Sequence, residues 1–316
     1  MNNNCSLIIG SNGFIGSSLS KQLDHLGNLY TISRSPRNEK IDSEHFTLDI
    51  ENISELKKIL TNLSSSYEKI NVFYLVGPIS DDKSVKNPVD LSLKNPREVL
   101  NRSIKNLVQI VEILRDFNST FLFASTGAIY DSRDAYFFSE DDSLFPPSPY
   151  AALKYSSEGI ALSYFESFGV DIRIARIFSV FGEEMDRFFI FDIVNKFLSA
   201  EDKIILKGSG SQERDYLHVS DVANGLATIM EKGSPGEIYN LSSGIPTKLS
   251  DLTEEIKSFL GLENIDIIWD KKETKGVRDV WYGNNEKIQS LGFNIDNSDR
   301  SKLNSTVDAI KERILA

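Results

Sequence analysis

Apolar residues along this chain follow two alternating patterns. Short, nearly continuous apolar runs predict buried strands at 29–33, 46–48, 72–76, 120–124 and 171–177. Apolar residues at three- and four-residue spacing predict helices at 14–26, from residue 54, at 97–117 and at 150–168. Repeated strand–helix–strand units with buried strands predict the α/β fold class, with a doubly wound parallel sheet.

Beyond residue 181 the pattern becomes less regular. Shorter elements are predicted there, with helices at 187–199, 221–231, 249–260 and 302–314 and strands at 204–206 and 237–240. This change predicts a larger domain over 1–178 and a smaller α/β domain over 179–316. Residues 215–240 are expected to pack back on the larger domain.

Three glycines follow the first apolar run, Leu7-Ile8-Ile9, at three-residue spacing. Gly10, Gly13 and Gly16 predict a tight turn from a strand into a helix. A backbone without Cβ lets a pyrophosphate approach the N–H groups at the positive end of that helix. The alternative is an ordinary glycine turn between a buried strand and a helix.

Tyr150 and Lys154 lie one helical turn apart, after a predicted N-cap at Ser148 and a first-turn proline at Pro149. An ammonium group near a phenol favours the phenolate, which makes the tyrosine usable as an acid/base near neutral pH. The buried strand before this helix ends in Ser125 and Thr126, whose hydroxyls could hold a substrate oxygen. The alternative is a chance pairing of Tyr and Lys on an exposed face.

Composition limits the class of protein. The 316 residues, of which 40% are apolar, suffice for a globular enzyme. The net charge of −11 argues against non-specific nucleic-acid binding, and no apolar run is long enough to cross a bilayer. The start Met1-Asn2-Asn3-Asn4 lacks the basic residues of a signal peptide, so a cytoplasmic location is expected. Cys5 is the single cysteine, and no Cys/His metal cluster is expected.

Taken together, the motifs resemble the extended short-chain dehydrogenase/reductases, the NAD(P)-dependent epimerase/dehydratase family that modifies nucleotide-activated sugars. The resemblance runs nearly end to end and rests on Gly10, Gly13, Gly16, Asp49, Ile50, Asn101, Ser125, Thr126, Tyr130, Tyr150, Lys154 and the segments 176–182, 214–219 and 277–280. It implies a Rossmann-type sheet with a smaller C-terminal nucleotide-sugar-binding domain.

The resemblance also implies roles for individual residues. Thr126 would be the catalytic hydroxyl with Ser125 beside it, Tyr150 the acid/base, and Lys154 the residue that holds the nicotinamide ribose. The implied coenzyme contacts are Gly10, Asn12, Gly13, Phe14, Ile15, Gly16, Ser33, Arg34, Arg37, Asp49, Ile50, Leu75, Val76, Gly77, Asn101, Tyr150 and Lys154. The implied substrate contacts are Ser179, Arg214 and Arg278.

The chain departs from its sugar 4,6-dehydratase relatives after the catalytic threonine. Those enzymes carry Asp-Glu there, because removal of water needs an extra acid and base, whereas this chain has Gly127-Ala128. Dehydration is therefore disfavoured. A 4-ketoreductase of a nucleotide-linked 4-keto sugar is the leading interpretation, and a 4-epimerase with tightly bound NAD is the alternative. A 4,6-dehydratase and a non-catalytic nucleotide sensor are less favoured.

The second strand bears on the choice of coenzyme. Where NAD-dependent enzymes place an acid for the adenosine 2′-hydroxyl, this chain reads Thr31-Ile32-Ser33-Arg34, and Arg37 follows. A 2′-phosphate would suit these arginines, so NADP is expected over NAD. The alternative is that both arginines lie on a solvated loop.

Two long helices predict self-association. The segments 97–117 and 150–168 carry more apolar residues than one buried stripe requires. A homodimer through a four-helix bundle is therefore expected, as the resemblance also implies. The alternative is that residues 136–138 of the same chain cover these faces.

Overall fold

The computed structural model describes residues 3–37, 41–78, 88–130, 137–272, 279–296 and 300–316. Within them, the strands in chain order are β1 Asn4–Ile9, β2 Leu29–Ser33, β3 Glu44–Thr47, β4 Lys69–Tyr74, β5 Ser119–Thr126, β6 Phe137–Phe138, β7 Asp171–Ile177, β8 Ser179–Phe181, β9 Lys203–Leu206, β10 Glu213–His218, β11 Ile238–Leu241, β12 Pro246–Lys248, β13 Asp266–Trp269 and β14 Val280–Gly283.

The helices in chain order are α1 Phe14–Leu23, α2 Ile53–Ser66, α3 Pro88–Lys94, α4 Pro96–Leu114, α5 Pro149–Phe168, α6 Phe188–Leu198, α7 Val219–Lys232, α8 Leu249–Leu260, α9 Glu286–Gln289 and α10 Ser301–Leu315. A 3₁₀ turn, Asp24–Leu26, continues α1 to the end of its predicted range. None of these helices is long and apolar enough to cross a membrane.

Seven parallel strands form the large sheet, in the order β3-β2-β1-β4-β5-β7-β11. Their side chains are mostly buried because helices cover both faces. Apolar residues of α2, α4 and α5 fill one side of the sheet, and those of α1 and α7 fill the other. The predicted α/β doubly wound parallel sheet is confirmed.

The strand order reverses between β1 and β4, since β2 and β3 lie on one side of β1 and β4 lies on the other. In sheets of this kind, ligands bind in the crevice beyond the carboxyl ends of the strands at such a reversal. The glycine turn follows β1 at this point, so the fold places it in the crevice.

The later part of the chain adds smaller sheets. Strand β10 pairs with β8, β12 and β14, β14 pairs with β6, and β9 pairs with β13. Apolar side chains of α6, α8, α10, β9 and β13 share one further core. Helix α7 packs on α1, and β11 pairs with β7, so both lie with the large sheet. The domain boundary at residue 178 stays a prediction.

Candidate active site

The glycine turn has the geometry that its sequence predicts. Gly10 has a φ of +97°, and a Cβ there would lie 3.1 Å from the carbonyl carbon of Leu75. A Cβ on Gly16 would collide with the carbonyl oxygen of Gly10. Helix α1 begins at Phe14 with Gly13 as N-cap, and no side chain caps it. The positive end of this helix, including Ile15, can therefore receive an anion at close range.

A cavity of about 530 Å³ adjoins this turn and is here named the glycine-turn cavity. It is lined by Ile9, Gly10, Asn12, Gly13, Ile32, Ser33, Arg34, Ser35, Leu48, Ile50, Leu75, Val76, Gly77 and Pro78. The structure thus brings together nine of the expected coenzyme contacts: Gly10, Asn12, Gly13, Ser33, Arg34, Ile50, Leu75, Val76 and Gly77.

The two arginines after β2 differ in their surroundings. Arg34 lines the glycine-turn cavity. Arg37 instead donates hydrogen bonds to the carbonyl oxygens of Ile41 (3.3 Å) and Ser43 (3.0 Å) and to the Thr31 hydroxyl. The guanidinium of Arg37 therefore braces the segment before β3, and Arg34 is the cation at the cavity.

Two other expected coenzyme contacts lie apart from the lining of the cavity. Asp49 is exposed, and its Oδ1 accepts a hydrogen bond from the backbone N–H of Glu51 at 3.0 Å. Asn101 is exposed on α4 and lines a separate surface recess with the residues at the start of that helix. The structure does not bring Asn101 to the glycine turn.

Helix α5 carries the tyrosine and the lysine as predicted. Ser148 is confirmed as its N-cap, because Ser148 Oγ accepts a hydrogen bond from the N–H of Ala151 at 3.2 Å. Burial raises the pKa of the Tyr150 phenol, and its side-chain hydrogen bond with Thr126 and the positive charge of Arg187 act in the opposite direction. The hydroxyl at the end of β5 and the phenol on α5 therefore meet.

Lys154 lies one turn farther along α5 and is buried, with 7% of its surface exposed. Its Nζ donates a hydrogen bond of 2.7 Å to the carbonyl oxygen of Ala124 and lies 4.7 Å from the centroid of the Phe123 ring. Burial lowers the pKa of Lys154 to about 8, and the negative charge of Glu158 opposes this shift. An ammonium group has three N–H donors, so Lys154 can also donate to a ligand.

Ser125 is hydrogen-bonded away from the pair, and its expected role beside Thr126 stays a prediction. Its hydroxyl donates a hydrogen bond of 2.5 Å to Glu158 Oε1. Glu158 in turn forms a buried ion pair with Arg176, whose Nη2 lies 2.9 Å from Glu158 Oε2. The hydroxyl of Ser125 is therefore used in a buried network behind the site.

Two of the expected substrate contacts, Ser179 and Arg214, lie in the smaller sheet built around β10. Ser179 begins β8 opposite Tyr216 of β10. Arg214 donates from Nη1 to the carbonyl oxygens of Glu213 (2.7 Å) and Asp279 (3.0 Å), and burial lowers its pKa. Arg278 lies outside the described residues.

Phe178 was missed from the sequence, although it explains the residue that follows Thr126. A Cβ on Gly127 would lie 2.7 Å from the Phe178 ring, so a larger residue at position 127 would require the ring to move. The ring also stacks on Trp281 at 5.1 Å between centroids. A side chain at position 127 therefore requires this aromatic pair to rearrange.

Asp215 was also missed, although it lies in the segment 214–219 that carries the resemblance. Its carboxylate is buried and accepts hydrogen bonds from the N–H groups of Ser243 (2.6 Å), Gly244 (3.0 Å) and Gly283 (3.2 Å). It therefore joins β10 to the turn that follows β11 and to the last residue of β14. An acid inside a strand with buried neighbours is the signal that could have identified it.

Comparison with known proteins gives a consistent result. A model of the NAD dependent epimerase/dehydratase family matches residues 6–242. The UDP-glucuronate 4-epimerase of Thermodesulfobacterium geofontis is 29% identical, over 81% of this chain and 80% of that protein. The human dTDP-D-glucose 4,6-dehydratase is 27% identical, over 74% of this chain and 73% of its own length. The structure of Thermotoga maritima UDP-glucose 4-epimerase with UDP-glucose superimposes with a TM-score of 0.84, at 24% identity, over 98% of this chain and 99% of that one.

Proposed function

Because the chain belongs to the NAD dependent epimerase/dehydratase family, we propose that it is an enzyme that reduces the C4 carbonyl of a nucleotide-linked 4-keto sugar. The observation that carries this proposal is the side-chain hydrogen bond between Thr126 and Tyr150, on the helix that also carries the buried Lys154 one turn later. A hydroxyl to hold an oxygen, a phenol to give it a proton and an ammonium to support the phenolate are the groups that this reduction needs.

The residues at the glycine turn fit a dinucleotide. Gly10 and Gly16 allow the turn to pack tightly against Leu75 and against its own backbone, and the start of α1, which no side chain caps, follows this turn and could receive a pyrophosphate. A bound nicotinamide coenzyme supplies the hydride in this chemistry. Thr126 would hold the sugar oxygen at C4, Tyr150 would donate a proton to that oxygen, and Lys154 would bind the coenzyme ribose and stabilise the phenolate that remains.

NADP is the proposed coenzyme. Arg34 lines the glycine-turn cavity beside Ser33 and Ser35, where its guanidinium and the two hydroxyls could bind a 2′-phosphate. No acid for a 2′-hydroxyl is present among these lining residues. A reductase exchanges its coenzyme in each turnover. A preference for NADPH is therefore consistent with net reduction of the sugar.

A nucleotide-sugar 4-epimerase is the second candidate, and the epimerases among the relatives favour it. An epimerase takes a hydride from C4 and returns it to the other face, using the same Thr126, Tyr150 and Lys154. Dehydration is disfavoured because the Phe178 ring occupies the space beside Gly127. A non-catalytic nucleotide sensor would need no buried proton donor.

A homodimer through α4 and α5 is also proposed. Tyr155 of α5 is 44% exposed, and Leu100, Ile104 and Val108 of α4 are half-buried. The Phe137–Phe138 strand, expected as an alternative cover, packs elsewhere: β6 pairs with β14, and Phe138 is buried against Tyr130 and Phe178. Tyr136 lies outside the described residues.

One experiment tests the reaction. Purified protein is incubated with UDP- and dTDP-linked glucose, galactose and glucuronate and with a dTDP-linked 4-keto-6-deoxy sugar, each with NADPH and with NADH. A reductase oxidises NADPH in proportion to the 4-keto sugar consumed. Interconversion of the 4-hydroxy sugars without net coenzyme consumption would establish the epimerase instead. Coenzyme binding with no sugar product would leave the sensor.

A further inference from the structure

Glu158 and Arg176 form an ion pair in the interior, with 3% and 2% of their side chains exposed. Arg176 Nη2 donates to Glu158 Oε2 at 2.9 Å, and Arg176 Nε donates to Glu158 Oε1 at 3.2 Å. Removing two charges from water costs about as much as their attraction returns, so an apolar pair could hold α5 on the sheet equally well. The place of this pair, rather than its energy, requires an explanation.

Glu158 reaches the same strand end as Lys154. Lys154 Nζ donates to the carbonyl oxygen of Ala124 at 2.7 Å, and the Ser125 hydroxyl donates to Glu158 Oε1 at 2.5 Å. Helix α5 is therefore bonded to two consecutive residues of β5, immediately before Thr126. A rotation or slide of α5 against β5 breaks both bonds.

The carboxylate of Glu158 is itself fixed by Arg176, which makes further hydrogen bonds. Arg176 Nη1 donates to the Tyr130 hydroxyl and to the carbonyl oxygen of Glu140, each at 2.8 Å. The Tyr130 hydroxyl donates to Asn240 Oδ1 at 2.7 Å. Residues from α5, β7, β11 and the segment after β5 thus fix one carboxylate beside Lys154.

We propose that Glu158 is a positioning residue for Lys154: it places a buried negative charge one turn from the ammonium and, together with Ser125, holds that ammonium at the end of β5. The inference rests on the proposed function, in which Lys154 binds the coenzyme ribose and supports the Tyr150 phenolate.

The electrostatics of the site support this role. Burial lowers the pKa of Lys154 to about 8, and the charge on Glu158 keeps it from falling further. Among the described residues, the other ionisable groups near this part of α5 include the Tyr150 phenol, on which the charge of Arg187 acts, and Arg176 from β7, which is paired with Glu158 and bonded to Tyr130. The neighbouring helices α3 and α4 carry charges on exposed side chains, among them Asp90, Lys94 and Glu112.

The test is the pH dependence of NADPH binding, followed by coenzyme fluorescence from pH 6.5 to 10. In the wild-type protein the affinity should fall at alkaline pH as Lys154 loses its proton. In Glu158→Gln this fall should begin about one pH unit lower, because an opposite charge close to an ammonium typically raises its pKa by that much or more. Affinity at pH 6.5 should stay within about threefold of wild type, since Lys154 is still protonated there.

Tyr130→Phe is the matched control at the far end of the same network. It removes the hydrogen bonds to Asn240 and Arg176 and lowers the melting temperature, but it leaves the charge of Glu158 in place. The alkaline fall in affinity should therefore stay at the wild-type pH. Equal displacement in both variants would show general loosening of the interior and would overturn the proposal.

Other outcomes are equally decisive. If Glu158→Gln does not shift the pH at which NADPH affinity falls, the role of Glu158 is overturned, while the proposed function stays intact. If Glu158→Gln does not fold, Glu158→Gln combined with Arg176→Gln removes both buried charges, and the same displacement is expected. Wild-type protein that binds neither NADPH nor NADH would overturn the proposed function, and the inference with it.

Discussion

Asn12 Nδ2 donates a hydrogen bond to Ser35 Oγ at 3.0 Å and others to the carbonyl oxygens of Ser35 (3.1 Å) and Pro36 (3.0 Å). The glycine turn after β1 is thereby joined to the segment after β2. Arg34 precedes that segment and lines the same cavity. The backbone that follows Arg34 is therefore held relative to the glycine turn, while the Arg34 side chain itself is exposed at the cavity.

Arg34→Ala should lower the preference for NADPH over NADH by roughly tenfold to a hundredfold, the effect of losing a charge-assisted hydrogen bond of about 1.5–3 kcal/mol. Dissociation constants for both coenzymes, measured by fluorescence titration, give the ratio. Arg37→Ala is the control: it removes bonds to Thr31, Ile41 and Ser43, so it should cost stability and leave the ratio unchanged. Wild-type protein that prefers NADH would contradict the assignment.

Tyr150→Phe should reduce turnover by roughly 10²–10⁴-fold, because general acid catalysis contributes about that much, while coenzyme affinity stays near wild type. Steady-state kinetics and coenzyme titration separate the two effects. Tyr164→Phe removes a phenol that hydrogen-bonds Glu112 at the other end of α5, and it should leave turnover unchanged. Near-normal activity in the Tyr150 variant would refute its role.

Val108→Glu should convert the expected dimer to monomers and lower its stability, because a charge would be placed on the half-buried face of α4. Sedimentation velocity at micromolar concentration measures the change. Asn62→Glu adds the same charge to an exposed position of α2 and should leave the sedimentation unchanged. A wild-type chain that sediments as a monomer would rule out the bundle.

Asp215 should give stability an unusual pH dependence. Burial raises its pKa to about 6, and the N–H groups of Ser243, Gly244 and Gly283 only partly oppose this. Between about pH 4 and pH 6, Asp215 is therefore more fully protonated in the folded protein than in the unfolded chain. The contribution of Asp215 to the free energy of unfolding is fully present below about pH 4 and falls by roughly 2–3 kcal/mol as the pH rises past 6.

Asp215→Asn removes this titration and places an amide NH₂ against backbone donors. The variant should be less stable than wild type throughout, and the difference in unfolding free energy should narrow from pH 4 to pH 7. Urea unfolding of both proteins across this pH range measures the difference in unfolding free energy. A difference that widens toward neutral pH would mean that the pKa of Asp215 is lowered.

The large sheet could be predicted well because its strands are buried on both faces. Strands β2 and β7 have the predicted bounds, 29–33 and 171–177, and helix α8 likewise matches 249–260. The short strands β8, β10 and β14 were not predicted as strands. They contain three to six residues each, and their pairing depends on partners far away in the chain, so no local period marks them.

The site was predictable in its types of residue more than in their orientation. Thr126, Tyr150 and Lys154 were expected from their spacing and from the resemblance. The structure joins Thr126 to Tyr150 and joins Lys154 to the carbonyl oxygen of Ala124, and their catalytic roles stay a prediction. Ser125 could have been separated from Thr126 by geometry alone, since consecutive side chains of a strand point to opposite faces. Arg34 and Arg37 could not be told apart, because which arginine faces the cavity depends on the path of the chain after β2.

Strand β11 closes the edge of the large sheet from far along the chain. While the polypeptide is being synthesised, β7 therefore presents unpaired N–H and C=O groups until Leu241 has left the ribosome. During this interval a neighbouring nascent chain can add a strand at β7 in place of β11. A truncated protein ending before Ile238 keeps that edge permanently open, and aggregation during expression is its expected fate.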